Sequence, residues 1–368
     1  MVKRIRDVAA KESCTMLFFE LIQVSIQARE RLSRIPTMAE WSAMYQMSLK
    51  QSLVAICFAG VKRLKENDAE QIAALSPAYY VQWLGMAATM QSRNDAMDEY
   101  SRKALAYFRG KGFPCQVLKG QGIALLYGAL GKLRQSGDID VWLSGGRKRI
   151  YQLSRTELGG ITGANYHHIH YPIFRDVEIE AHIYPSFLSS PFRNIALHRF
   201  CEKYRPEAGC GDFPGLAFNR VFILLHCYRH LCGHGVGLRQ LMDYYFVLRQ
   251  GFSDKERKET MKWCERLGMK RFAGAAMWVM GEVFGLQGDL LLCKPNEKEG
   301  RFLKNEIMHT GNMGHGETRF TWGQNTAWGR FAANQKRNWH LVTHYPYEVC
   351  WSPFFNIVRF AWQKCKGL

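Results

Sequence analysis

The stretch Leu133–Leu143, LRQSGDIDVWL, sets two carboxylates one residue apart inside an otherwise apolar run. Side chains of a strand alternate with period two, so Asp138 and Asp140 project from one face while Ile139 and Val141 enter a core. A second stretch, VEIEAHIY at 177–184, repeats the pattern. It puts Val177, Ile179, Ala181 and Ile183 on one face and Glu178, Glu180 and His182 on the other. If the two strands are neighbours in one sheet, three or four acidic groups gather on one surface. Two carboxylates about 4 Å apart repel by roughly 4 kcal/mol at an effective dielectric near 20, so such a cluster calls for a cation. A hard divalent ion with oxygen ligands suits it, and a pair of Mg²⁺ ions held this way serves in-line displacement at phosphorus. A solvent-facing strand edge with salt-bridged acids is the alternative reading of one Asp-x-Asp by itself.

The neighbourhood adds groups of the opposite character. Upstream, VLKGQG at 117–122 reads as a strand that runs into a glycine turn at Lys119-Gly120, with Gly122 behind it. A glycine turn leading into a helix exposes backbone N–H groups suited to phosphate oxygens. Lys119 and Arg134 supply positive charge on either side of the turn and Ser136 a hydroxyl. Phosphate-binding and metal-binding groups thus fall in one short segment.

Around that segment the pattern is helical. Thr37 with Glu40 three residues on forms a capping box, and apolar positions recur at helical spacing through Val61. A second long helix opens at Ser76-Pro77 and ends at Gly110 and Gly112. The texture changes at Phe113: strand at PCQVLKG, helix at QGIALLYGAL, strand at GDIDVWL, helix at RKRIYQLSRTEL. Two strands, NYHHIHYPIF and VEIEAHIY, then join across Arg175-Asp176. Beyond Pro185 the chain turns helical again, and from about Asn296 it is rich in Trp and Gly with little pattern. The expected fold is α+β, a small mixed sheet flanked by N-terminal and C-terminal helical regions. The expected segments are 1–110 helical, 111–185 α/β core, 186–295 helical, and 296–368 an aromatic and basic region packed on the rest.

Composition narrows the partners. The 368 residues are 47% hydrophobic and carry a net charge of +18, enough apolar content for real cores and a bias toward polyanions. Eleven cysteines in no paired framework read as reduced thiols of a cytoplasmic protein. The start shows no apolar core followed by a small-residue cleavage site, so no secretory signal is expected, and no run approaches the ~18 apolar residues of a membrane span.

Taken together, Lys119-Gly120, Arg134-x-Ser136-x-Asp138-Ile139-Asp140 and Glu180 near His182 resemble the nucleotidyltransferase superfamily, whose fold is like the palm of DNA polymerase β. The likeness is closer to a bacterial family of uncharacterised nucleotidyltransferases, carried by VLKG, GDIDVW, VEIEAH with PSFLSSP after it, and GHGVGLRQLMDYYFVL. It runs from about residue 110 to 250, with echoes at YPYEVCWSPFFNIVRFAW. The resemblance implies that Asp138, Asp140 and Glu180 hold Mg²⁺, two ions in the usual arrangement, with Glu180 as a base toward the attacking hydroxyl. It implies that Lys119 and Gly120 meet the triphosphate of an NTP, assisted by Arg134 and Ser136. The reaction implied moves a nucleotidyl group to an acceptor, with release of pyrophosphate. The acceptor class stays open among a small molecule, a carbohydrate-pathway component and RNA. Glu178 competes with Glu180 for the third carboxylate position, and the Glu-x-His setting favours Glu180. Gly120 is followed by Gln121 where the superfamily commonly has a small residue.

Two other readings belong to different classes: a nucleotide- or partner-binding protein that has kept the scaffold without turnover, and a tRNA-modifying toxin, since toxins of abortive-infection and toxin–antitoxin systems share the R-x-S-x-D-I-D arrangement. Elsewhere, His226, His230 and His234 follow helical spacing, but Gly233 and Gly235 end the helix there and the spacing matches no zinc signature. His230, Arg239 and Asp243 are expected to face the α/β segment as a supporting wall, and His182 to support Glu180. His167 and His170 are expected on the hairpin, His170 near the acidic face. Trp322, Trp328, Trp339, Trp351 and Trp362, with Lys364 and Lys366, are expected to pack on the preceding helices rather than form a membrane anchor, because Pro346 and Pro353 interrupt a long amphipathic helix.

Overall fold

The computed structural model describes residues 2–161, 163–320 and 326–365; Trp322 and Lys366, and the side chain of Lys364, lie outside what is described. The architecture is α+β. Helices α1 (Val2–Ser25), α2 (Met38–Lys50), α3 (Val54–Asn67) and α4 (Pro77–Gly110) precede strand β1 (Cys115–Leu118). There follow α5 (Gly120–Ala124), a 3₁₀ stretch (Leu125–Leu133), β2 (Ile139–Leu143), α6 (Gly146–Leu158), β3 (His168–His170) and β4 (Ile179–His182). The remainder is helical: α7 (Pro191–Lys203), α8 (Leu216–Gly233), α9 (Leu238–Arg249), α10 (Asp254–Arg266), α11 (Lys270–Phe284), α12 (Glu297–Thr310), α13 (Ala327–Leu341) and α14 (Pro346–Cys365).

The sheet has the order β1-β2-β4-β3, with β2 and β4 parallel and both outer pairs antiparallel. Its two faces serve different cores. Val117, Ile139, Val141, Ile169, Ile179 and Ala181 pack with the C-terminal half of α4 (Met97, Ala104, Leu105, Phe108) and with Ile150 of α6. Leu118 and Trp142 look the other way and join a larger core of helices that includes Phe218 of α8, whose ring stacks on Trp142 at 5.3 Å. The N-terminal half of α4, with Trp83 and Met90, belongs to this second core. A 34-residue helix, ~51 Å long at 1.5 Å per residue, therefore ties both cores together.

Local signals worked where one residue pair decides the backbone. The box at Thr37 and Glu40 forms as expected, with Thr37 N–H donating to Glu40 Oε2 at 2.8 Å and Glu40 N–H to Thr37 Oγ1 at 3.3 Å. Ser76 caps α4 with Pro77 in its first turn. The apolar periodicity through Val61, however, spans two helices. The chain breaks at Gln51–Leu53, where Ser52 takes φ 55°. The cause is tertiary: the buried Gln51 amide donates to Ile307 O of α12 at 2.9 Å and accepts from Leu238 N–H of α9 at 2.9 Å. Likewise QGIALLYGAL is only partly α-helical, since Gly128 adopts φ 59° within the 3₁₀ stretch.

The C-terminal expectation needs two corrections. Pro346 and Pro353 do not break the segment: α14 starts at Pro346 and runs through Pro353 to Cys365. A proline at the start costs nothing there, and Pro353 removes a single i→i−4 bond. Nor do all the tryptophans pack inward. Trp328 and Trp339 are 77% and 80% exposed, because α13 buries Ala333, Arg337 and Asn338 instead. Trp351 and Trp362 do find partners, the Phe192 ring and the Arg147 guanidinium. No described helix is long and apolar enough to cross a membrane.

One buried ion pair fixes the loop that leads into β2. Arg134 grips Asp243 of α9 through Nε and Nη2, both at 2.7 Å, and Tyr127 donates to Asp243 Oδ1 at 2.6 Å. Arg134 and Asp243 are each 3% exposed. Asn94 of α4 clamps the same loop by donating to Arg134 O at 2.7 Å. Asp243→Ala leaves a guanidinium buried without a counter-charge and is expected to lower the unfolding free energy by about 3–5 kcal/mol; urea denaturation measures it, and a loss below ~1 kcal/mol would deny the pair this role.

A second cluster predicts acid sensitivity. Arg319 binds Glu306 and Glu317, and Arg337 adds to Glu317 at 3.3 Å. Burial works against ionisation of Glu317, but Arg319 outweighs it and lowers the carboxyl to about 2. A folded-state pKa below the unfolded value of ~4.3 contributes stability above that value and loses it as pH falls toward 2. Between pH 5 and 3 the denaturation midpoint of the wild type is expected to fall more steeply than that of Glu317→Gln.

Candidate active site

The register between β2 and β4 places Asp140 directly beside Glu180, with Trp142 beside His182 in the next row of the same face. From β3, His170 stands opposite Glu180 and His168 opposite His182. Asp138 sits one residue ahead of β2, half-buried, at the mouth of the cleft that Asp140 floors. The two acidic strands recognised in the sequence are therefore neighbours, and their alternation brings the carboxylates to one face.

Asp140 is 1% exposed, and two cations hold it there. Lys119 Nζ lies 2.9 Å from Oδ2, and His182 Nε2 lies 2.7 Å from Oδ1. His182 Nε2 also meets Glu180 Oε2 at 3.1 Å. Burial opposes charge on His182, but the hydrogen bonds to Asp140 and Glu180 prevail and raise its pKa to about 9. Burial likewise opposes ionisation of Asp140, and Lys119 with His182 overcomes it, holding the carboxyl below the usual range. Lys119 is lifted above the ordinary lysine value by Asp140, Asp138 and Glu180, against its own burial.

Lys119 reaches Asp140 from the turn after β1. Its backbone takes φ 38°, and Gly120 follows at φ 42°. A non-glycine residue there carries strain of roughly 1–3 kcal/mol, held by the ion pair at the end of its side chain. Gln121 departs from the family pattern without entering the cleft: its amide donates to Asp98 Oδ1 of α4 at 3.0 Å. The turn leads into a helix of five residues, shorter than the phosphate-binding helix that the glycines suggest.

The opposite wall is cationic and aromatic. His226 and His230 of α8, Arg239 of α9 and Arg134 line the cleft together with Lys119, Gly120, Asp138 and Asp140. Arg134 approaches with two donors on Asp243 and Nη1 3.3 Å from Ser136 Oγ. Arg239 braces the loop by donating to Gln135 O at 3.2 Å. Asp243 holds Arg134 from behind. His234 caps the end of α8 and is exposed, outside the cleft. His226 and His230, 4.4 Å apart at the ring centroids, have their pKa values pushed well down, by burial first and then by nearby positive charge, Lys119 for both and His230 as well for His226.

Glu178, the competing carboxylate, is exposed and contacts His170, whereas Glu180 faces Asp140. His168 was missed in the sequence although period two puts it on the face of His170. Its Nδ1 lies 3.1 Å from Glu180 Oε2, its Nε2 accepts from Asn165 Nδ2, and burial lowers its pKa to about 3. Tyr127 was also missed; nothing in LLYGAL sets it apart from a core aromatic.

The donor set fits a hard divalent cation. Carboxylate oxygens of Asp140 and Glu180 lie within 4.8 Å of one another beside His182, and Asp138 stands at the same mouth. Oxygen donors of this kind suit such an ion, which would take over charge that Lys119 and the His182 imidazolium now balance. Searches of curated proteins and of solved structures find no match. The profile of a family described as uncharacterised nucleotidyltransferases matches residues 37–285, more than half of the chain, a span that takes in α2 through α11 and the carboxylates, Lys119, Arg134, His226, His230 and Arg239 of the cleft. The chain belongs to that family.

Proposed function

We propose that the protein is a Mg²⁺-dependent nucleotidyltransferase that moves a nucleotidyl group from an NTP to a hydroxyl acceptor. The observation that carries this reading is the in-register pair Asp140 and Glu180 on parallel strands, with Asp138 at the strand head and Lys119 closing the charge. Asp138, Asp140 and Glu180 are the residues that would hold the metal, which supplies charge neutralisation at the phosphates.

The chain's own groups have distinct tasks. Lys119 and the Gly120 turn meet the triphosphate, and Lys119, Arg134 and Arg239 offset charge on the departing pyrophosphate. Arg134 and Ser136 act from a loop whose position Asp243 and Asn94 fix. The acceptor oxygen bonds to the α-phosphorus as the bond from that phosphorus to the pyrophosphate oxygen breaks. Glu180 Oε1, the oxygen that His182 does not hold, takes the hydroxyl proton. His182 keeps Glu180 and Asp140 facing each other.

A second reading, a nucleotide-binding protein without turnover, has one observation in its favour: both oxygens of Asp140 are already engaged by Lys119 and His182. Pyrophosphate release distinguishes the two. Wild-type protein with Mg²⁺, each of the four NTPs and a panel of hydroxyl acceptors including total tRNA is expected to release pyrophosphate. Asp138→Asn is expected to lose that release by about 10²–10³-fold or more with an unchanged thermal midpoint. Turnover retained in the variant would remove the metal argument, and NTP binding without any release by the wild type would establish the second reading.

A further inference from the structure

A second cavity lies apart from the carboxylate cleft. It lies between α8, α13 and α14, has a volume of about 470 Å³, and falls in the ~300–1,000 Å³ range of small-molecule sites. Helix α8 is the partition between the two. His226 and His230 line the cleft, while Arg229, Cys232 and Gly233, one step around the helix, line the cavity.

Its chemistry is unfinished. Arg229 has no hydrogen-bond acceptor among the described residues; its guanidinium lies over the Phe187 ring, 3.5 Å from the centroid, and burial lowers its pKa to about 10. Arg359 of α14, half-buried, also has no acceptor among them. Glu348, 4% exposed, accepts from Ser189 N–H at 2.7 Å through Oε1, but Oε2 has no partner. Nor has Nδ2 of Asn338, which is 9% exposed. Buried polar groups left unpaired cost about 1–3 kcal/mol each, more when charged. Glu348 makes no ion pair with Arg229 despite sharing the cavity, so the acceptor for the guanidinium groups and the donor for Glu348 must both come from elsewhere. Phe331 and Phe355 supply an apolar wall beside them.

We propose that this cavity binds a nucleoside monophosphate, its phosphate on Arg229 and Arg359, its base against Phe331 and Phe355, and a sugar hydroxyl donated to Glu348 Oε2. Arginine suits the task because its fork of N–H donors matches phosphate oxygens two at a time. Asn338 offers an amide donor to the edge of a base or to the sugar. The site is separate from the carboxylate cleft, so it does not depend on nucleotidyl transfer or on bound metal.

Calorimetry on the full chain in EDTA tests it, with 5′-AMP, 5′-UMP, adenosine and inorganic phosphate as probes. The monophosphates are expected to bind, with adenosine and phosphate each about tenfold weaker or more. Arg359→Gln, at a half-exposed position that tolerates the change, is expected to weaken AMP about tenfold, and Arg229→Gln at least as much where it folds. Lys119→Gln, which alters the cleft alone, is expected to leave AMP affinity unchanged. Absence of monophosphate binding, equal affinity in Arg359→Gln and wild type, or a loss confined to Lys119→Gln would each overturn the assignment.

Discussion

The structure turns on the cost of placing Asp140 and Glu180 side by side on a half-buried sheet face. Parallel pairing in register leaves their side chains no freedom to separate, and Asp140 has almost no contact with water. Lys119 and His182 make the arrangement tolerable, and each constrains something further. The reach of Lys119 demands a left-handed turn directly after β1, which in turn calls for glycine at the next position. The imidazole of His182 must bridge two carboxylates, which fixes β4 against β2 to within a hydrogen bond. The face cannot be altered at one residue without leaving a charge behind at another.

The helices are arranged to keep that face both accessible and stiff. Helix α4 packs under one side of the sheet and reaches the helical core with its other end, so the sheet cannot shift relative to α8 and α9. Arg134, gripped by Asp243, pins the loop that delivers Asp138. These are groups in and behind the cleft whose role is position, and under the proposed nucleotidyl transfer donors held this way would need no reorganisation when phosphate charge arrives.

The carboxylate strands were legible because alternation is local: Asp138, Asp140, Glu180 and His182 share a face whatever surrounds them. The fold class was legible for the same reason, through capping signals at Thr37 and Ser76 and the change of period at Phe113. Interactions across the chain were not. The break at Ser52 follows from what Gln51 meets on α9 and α12, and no pattern around residue 51 records that. Tyr127 and Asn94 enter through contacts with Asp243 and with the loop before β2. Pro353 looked like a helix breaker because the rule counts a lost hydrogen bond and not the packing that outweighs it. The exposed Trp328 and Trp339 were misread because α13 turns its polar side inward, against the cavity.

That inversion of α13 has a physical consequence. A helix normally buries apolar side chains, and this one buries Arg337 and Asn338 while leaving two tryptophans in solvent. Arg337 is partly satisfied, by Leu231 O at 2.6 Å and by Glu317, yet its Nε has no partner. Desolvating such groups against an empty space is unfavourable unless another molecule completes them. Histidines on one stripe of α8 stay neutral beside Lys119, and on the adjacent stripe Arg229 keeps its charge beside Glu348. Neighbouring positions of one helix thus furnish two environments of different polarity, one facing the carboxylate cleft, the other cationic and rimmed by phenylalanine. The chain's excess of basic residues is spent partly on enclosed walls, where each guanidinium is selective for an anion in a way that a solvated lysine on the surface is not.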